Sequence, residues 1–450
     1  MNIPDREASV YCSMKFFKYL WPLLILPALW PIFRNDFFQM HDFTHVARLV
    51  ELDLGIKLGH WPPRWAPDLG WGNGMPLFHF YGSLPYYLAE LFYLIKVPAV
   101  WAIKAVFAVN YLAGFYFMYL WAKAHWGKWG GILSGLAFVY LPYRAVQFYV
   151  RGSLAELTAM TFIPLFYYAA GKRKTVLAAL TWTGIFLSHN VIALFSLGFF
   201  GLYFLFNLKH WRRWLILSGL TLLLSAWFII PAFFEKNLTV VDSLTGGYFH
   251  FSYHFIYLRQ LINRFWGYGG SILGPEDGMS FQLGWPQLGL ILPAVWLWRR
   301  LSYFWLALAM AIFMMTFHSK FIWEAVPILA LAQFPWRLLA FAGTIIAFFA
   351  GSAAKNKYIA VVAGILIITL NFRYFRPQQF SPVDDYYYTD RQRIADEMSD
   401  LLQDYLPKNY ADFPTAAGGK TPLESWSDII SLLTWIGLIV YYARTRRISR

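Results

Sequence analysis

Apolar runs recur from one end of this 450-residue chain to the other, and they limit what it can fold into more than any motif does. With 58% apolar and 21% aromatic residues and a mean hydropathy of +0.44, the composition is not that of an ordinary soluble domain. It reads as an all-α polytopic membrane protein. The runs lie at 16–33, 99–121, 129–143, 155–170, 175–189, 191–208, 214–234, 284–298, 301–317, 337–353, 357–372 and 428–443, about twelve spans. Residues 16–33 follow basic residues but lead into no small-residue cleavage site, so they are expected as a retained first helix. The single cysteine, Cys12, excludes an internal disulfide framework and a cysteine-based zinc site.

Charge distribution sets the expected topology. The stretch 77–95 is apolar enough to span but carries His79, Pro85 and Glu90. If it lies beside the membrane, one face collects Arg6, Lys15, Lys18, Lys123, Lys128, Lys172, Arg173, Lys174, Lys209, Arg212, Arg213, Arg299, Arg300, Lys355, Lys357 and the Arg444–Arg450 tail. That is half of the 38 basic residues, against only Asp5 and Glu7. Such asymmetry is the positive-inside pattern and assigns the +14 net charge to cytoplasmic loops, with no nucleic acid involved. Both termini are then expected in the cytoplasm. The organisation reads as a membrane module over 1–372 with a first outer loop at 34–98, a small outer segment at 373–427, and a last helix with basic tail at 428–450. The outer segment, at most a small appendage, includes an amphipathic pattern at 390–406.

The first outer loop holds the densest ionisable cluster, HDFTHVARLVELDLGIKLGHWPPRW (41–65), in a chain with 14% charged residues. Helical spacing predicts that His41, Asp42, His45, Arg48 and Leu49 share one broad face. Asp42 between two imidazoles is a candidate general base, whereas Glu51 and Asp53 are expected to be solvated. His41 and His45 at i and i+4 also resemble a zinc helix, but Asp replaces Glu and no third ligand is evident. Further polar groups interrupt apolar sequence at PYRAVQFYVRGSLAE (142–156), SHN (188–190) and QFPWR (333–337). In this topology all lie at the outer boundary, where ionisable groups are costly and tend to line a cavity. Arg144 and Arg151 either snorkel or bind phosphate, and Glu156, entering a span, needs a partner. His189 and Asn190 either join helices or line the cavity. Trp61, Trp65, Trp285 and Trp336 fit an interfacial belt.

The order HD..H..R, G.WPPRW.PDLG.G.GMPLF.FYGSLPYYL, PYR....YVRGSLAE, SHN, QFPWR and DYLP resembles bacterial membrane proteins labelled as related to 6-pyruvoyl-tetrahydropterin synthase. These are similar to GT-C polytopic glycosyltransferases and to YfhO-like membrane proteins. The resemblance implies a GT-C-like fold with juxtamembrane helices in the first outer loop and a catalytic carboxylate there, at Asp42. It further implies inverting transfer of a sugar from a polyprenyl-phosphate donor to a hydroxyl of a glycan, lipid or protein acceptor, at the outer face of the cytoplasmic membrane. His41 or His45 would orient Asp42, and Arg48, Arg64, Arg144, Arg151, Glu156 and Arg337 would form the donor-phosphate site. Tyr81, His189, Asn190 and Gln333 would line the cavity. No obligatory metal or other cofactor is expected, although Asp36 and Asp42 leave room for a divalent ion. The rival classes are a flippase or transporter for a lipid-linked sugar, and a non-catalytic partner in glycan assembly. Polar groups clustered outside, with no paired discontinuous helices, favour the enzyme.

Overall fold

A left-handed glycine turns the first long apolar stretch back on itself. Ala99–Val139 (α3) is helical on both sides of Gly127, whose φ of 74° lies where only glycine is unstrained. Close contacts then run antiparallel: a Cβ on Gly131 would stand 2.9 Å from Tyr119, and one on Gly135 2.8 Å from Phe115. The runs 99–121 and 129–143 are therefore the arms of one hairpin.

The computed structural model describes residues 21–241, 245–382, 384–414 and 419–448. Cys12, the start of the first apolar run, Arg6, Lys15, Lys18 and the side chains beyond Arg444 lie outside the described residues. The described residues are mostly helical, with almost no strand. Ahead of the hairpin come α1 (His45–Lys57) and α2 (Leu84–Leu94). After it come α4 (Leu154–Gly171), α5 (Thr175–Ser188), α6 (Asn190–Leu205), α7 (Trp211–Phe234), α8 (Ser302–Met314), α9 (Leu339–Ala350), α10 (Lys357–Asn371) and α11 (Pro422–Ile448). Five described helical stretches are long and apolar enough to cross a membrane, six if α8 and Phe317–Ala325, bent by 92°, form one span. Thr175–Ser188, Asn190–Leu205 and Trp285–Val295 are apolar but shorter. This is the architecture of a multi-pass membrane protein.

Prolines explain where expected helices are broken. The described part of 16–33 is a series of short turns, Trp21–Leu24, Leu26–Leu29 and Trp30–Phe33, because Pro22, Pro27 and Pro31 each remove an amide donor. Pro293 divides 284–298 into Trp285–Leu290 and Leu292–Val295. The stretch 77–95 is likewise two helices, Leu77–Phe80 and α2, and is not among the spanning segments.

The segment 373–427 is no appendage. Phe380–Ser381 (β2) pairs antiparallel with Phe37–Phe38 (β1), Asp385 accepts hydrogen bonds from the Ala99 and Val100 amides, and Arg391 grips Asp68 at 2.6 and 2.7 Å. Tyr405 stacks on Phe80 with centroids 5.6 Å apart. Burial of Ile394 and Leu402 against the first loop replaces the independent core that so short a segment could not supply. Residues 391–401 are helical, as their pattern predicts, and α11 starts at Pro422, six residues before the expected 428.

The first loop meets α5 at Gly82, where a Cβ would lie 2.0 Å from the Ser188 carbonyl oxygen. Because that obstacle is backbone, Gly82→Ala should destabilise the protein by about 1–3 kcal/mol, seen as a lower thermal midpoint in detergent. An unchanged midpoint would show that this approach is not required.

Candidate functional site

Residues 41–42 run beside residues 150–151: the His41 amide donates to the Val150 carbonyl and the Asp42 amide to the Arg151 carbonyl, each at 2.9 Å. Gly152 makes the approach possible. Its φ is +64°, and a Cβ there would lie 2.1 Å from Met40 Sδ and 2.8 Å from the Asp42 carbonyl oxygen. The RG of PYR....YVRGSLAE is thus what brings the first loop to the membrane helices. A π-helical turn, Val146–Val150, precedes Arg151 and is the kind of local insertion that often re-aims side chains at functional sites.

The helix begins at His45, not His41, so the expected single face does not form. Asp42 precedes it, half-buried, and is held by two donors: Thr44 Oγ1 at 2.7 Å and Arg48, whose guanidinium reaches both carboxylate oxygens at 3.0 and 2.8 Å. Arg48 also lies 4.4 Å over the Tyr81 ring and donates to the Tyr81 and Tyr86 hydroxyls. Neither imidazole orients the acid. His41 meets the Tyr268 carbonyl at 2.8 Å, and buried His45 sits between the Tyr86 hydroxyl and the Gly152 carbonyl. They face different ways, which removes the zinc-helix reading. Burial pushes the Asp42 carboxyl up, but Arg48 and His45 beside it outweigh this and hold it well below the usual carboxylate range. Burial lowers the His45 imidazole against the pull of Asp42.

A second charged group adjoins the first through Arg151. Glu156, fully buried in the first turn of α4, accepts from Arg151 at 2.8 Å, Gln147 at 3.1 Å and the Tyr143 hydroxyl, and Arg337 stands 3.5 Å away. Arg151 lies 4.6 Å over Trp336, and Arg337 donates to Gln333 at 3.3 Å. Two guanidiniums therefore converge on one carboxylate, leaving one positive charge in surplus. His189, electrostatically coupled to Glu156, Arg151 and Arg337, caps α6 by accepting from the Ile192 amide at 3.2 Å, and Asn190 donates to the Phe80 carbonyl at 2.6 Å. Asp42, Arg48, Tyr81, Arg151, Glu156, His189, Gln333 and Arg337 are thus neighbours in the structure.

Other expectations fail. Arg64 is buried elsewhere, 2.6 Å from Asp428 and 3.6 Å from Glu424 of α11. Arg144 is fully enclosed, donating to the Asn110 carbonyl at 3.0 Å beneath the rings of Tyr111 and Phe138, apart from Arg151. Sequence spacing could not separate these arginines from Arg151, because the partners that enclose them lie outside their motifs. Trp65 and Trp336 are buried, not interfacial, whereas Trp61 and Trp285 are exposed. Asp36 pairs with Arg34 at 2.9 Å and shares no site with Asp42. Glu51 and Asp53 are buried, not solvated: Glu51 accepts from the Asp68 amide at 2.9 Å and Asp53 pairs with Lys57 at 2.5 Å.

Two features escaped the sequence analysis. Asp404, in DYLP, comes close enough to Arg48 and Asp42 to feel both charges, and burial raises its carboxyl. His79, Glu235 and Glu424 form a buried group of metal-ligating side chains with no shared motif. The one advance signal for Asp404 was its presence in DYLP.

Burial raises the Glu51 carboxyl to about 8, so the folded protein prefers it protonated. A raised folded value means stability present below the ordinary carboxyl range and lost as pH rises through about 8. Glu51→Gln should therefore raise the thermal midpoint more at pH 9 than at pH 6. Equal shifts at both would refute the buried, protonated state.

No family model matches the chain, and no curated protein is similar to it. Among solved structures the chain is similar to ArnT from Cupriavidus metallidurans bound to undecaprenyl phosphate, at 12% identity and a TM-score of 0.42, over 96% of this chain and 72% of that one.

Proposed function

We propose that the protein is a GT-C-type glycosyltransferase that moves a sugar from a polyprenyl-phosphate donor to an acceptor hydroxyl of an envelope glycan, lipid or protein. The reaction takes place at the outer face of the cytoplasmic membrane, with both termini cytoplasmic. The observation that carries this reading is a half-exposed carboxylate, Asp42, beside two guanidiniums, Arg151 and Arg337, that share a single acid. A surplus cation next to an ionised base suits an anionic leaving group next to a nucleophile.

In the transfer, the acceptor oxygen attacks the sugar C1 as its proton passes to Asp42. The bond from C1 to the phosphate oxygen breaks with inversion, and the departing phosphate takes up the negative charge opposite Arg151 and Arg337. Arg48 and Thr44 aim the carboxylate, while His45 fixes the Gly152 carbonyl and the Tyr86 hydroxyl around it. His41 holds the loop at Tyr268. Tyr81, His189, Asn190 and Gln333 frame the donor, and membrane lipid surrounds the prenyl chain.

The test is transfer by the full chain in nanodiscs from radiolabelled polyprenyl-phosphate hexoses to an envelope acceptor. Asp42→Asn should lower kcat at least about 100-fold while donor binding persists. An active Asp42→Asn enzyme would sink the assignment. Arg151→Ala leaves Glu156 paired with Arg337, avoiding the roughly 3–5 kcal/mol of a stranded buried charge, and should cut kcat/KM about 100-fold. Donor bound without turnover by either protein would favour the flippase or assembly-partner class.

A further inference from the structure

His79, Glu235 and Glu424 come from the short helix of the first loop, the end of α7 and the first turn of α11, and they meet inside the protein. All three are buried, at 1%, 9% and 0% exposure. The His79 ring lies between the two acids, with Nε2 2.7 Å from Glu235 Oε2 and Nδ1 3.2 Å from Glu424 Oε1. Those four atoms are within ion-pair distance, yet none makes a hydrogen bond, because the directions do not align. The other carboxylate oxygens are satisfied by one residue: Thr421 donates its hydroxyl to Glu235 Oε1 at 2.9 Å and its amide to Glu424 Oε2 at 2.6 Å. Thr421 therefore turns the remaining oxygen of each acid toward the imidazole.

Two states could satisfy this arrangement. Glu424 and Asp428 face Arg64 and Lys420, and Glu235 adds a third acid beside His79, which leaves one negative charge in surplus when His79 is neutral. An imidazolium would neutralise it but would sit along two aligned hydrogen bonds. Ligands of one metal behave differently: at metal distances of about 2.0–2.2 Å, tetrahedral donor atoms stand about 3.3 Å apart, and each points at the ion, not at its neighbour. One ring nitrogen of His79 and one oxygen of each acid lie within 4.8 Å of one another, deeply buried and off one another's hydrogen-bond axes, which fits the second case. We infer that His79, Glu235 and Glu424 form a structural site for a zinc-class divalent ion. One nitrogen and two carboxylate oxygens suit such an ion, and Thr421 supplies the outer-shell orientation that carboxylate ligands need. The ion would tie the first loop, two residues before Tyr81, to the ends of two membrane helices.

The site is separate from Asp42, and the test reads metal without reference to transfer. Full-length protein in detergent is stripped with chelator, incubated with zinc, desalted and analysed for bound metal. Wild type should retain about one equivalent and gain thermal stability with zinc, as a ligand that binds only the folded state requires. His79→Ala and Glu424→Gln should lose both effects, and Asp42→Asn should keep both. His79→Cys should still hold zinc, since a thiolate ligates but cannot form an imidazolium. Failure of the wild type to retain or be stabilised by zinc would overturn the proposal, as would full retention by His79→Ala.

Discussion

Two backbone hydrogen bonds, between residues 41–42 and 150–151, are the constraint on which the candidate site depends. They place the only loop carboxylate aimed by Thr44 and Arg48 directly beside the arginine that enters α4. Nothing larger than glycine at 152 permits the approach. The hairpin of α3, the π-helical turn after Pro142 and the cap at His189 all deliver side chains to that junction.

The electrostatics follow from this geometry. Buried charges persist when they are paired and hydrogen-bonded, and each ion in the cluster satisfies that condition through two or more partners. Arg48 belongs to Asp42, and Arg151 and Arg337 belong together to Glu156. A site of this kind is set before any substrate arrives. Arg151 and Arg337 together carry one positive charge more than the acid they share.

The first loop is held as firmly from its far side. Segment 373–427 covers it through a strand pair, the Arg391–Asp68 bridge and Tyr405 on Phe80, and α11 receives Arg64 and His79. Polar groups that look solvated in sequence are thereby enclosed. Glu51 illustrates this: its helix reads as an outer-loop helix, yet the 66–75 turn folds over it and supplies the Asp68 amide.

Sequence by itself determined the class of the protein, most helix positions and the side chains that could carry chemistry, because apolar length and local spacing act over a few turns. It singled out Asp42 in the first loop, and Arg151, Glu156 and Arg337 in motifs that interrupt apolar runs, where charge must be compensated. Only the tertiary structure decided which cation meets which acid. Arg64 and Arg144 have the same chemistry as Arg151, but Asp428 of the last helix claims Arg64, and Asn110, Tyr111 and Phe138 of the α3 hairpin enclose Arg144. The same holds for Asp404 and for His79, Glu235 and Glu424, which share no local pattern. Pairing over such separations is fixed by packing of whole helices, and no periodicity in the chain encodes it.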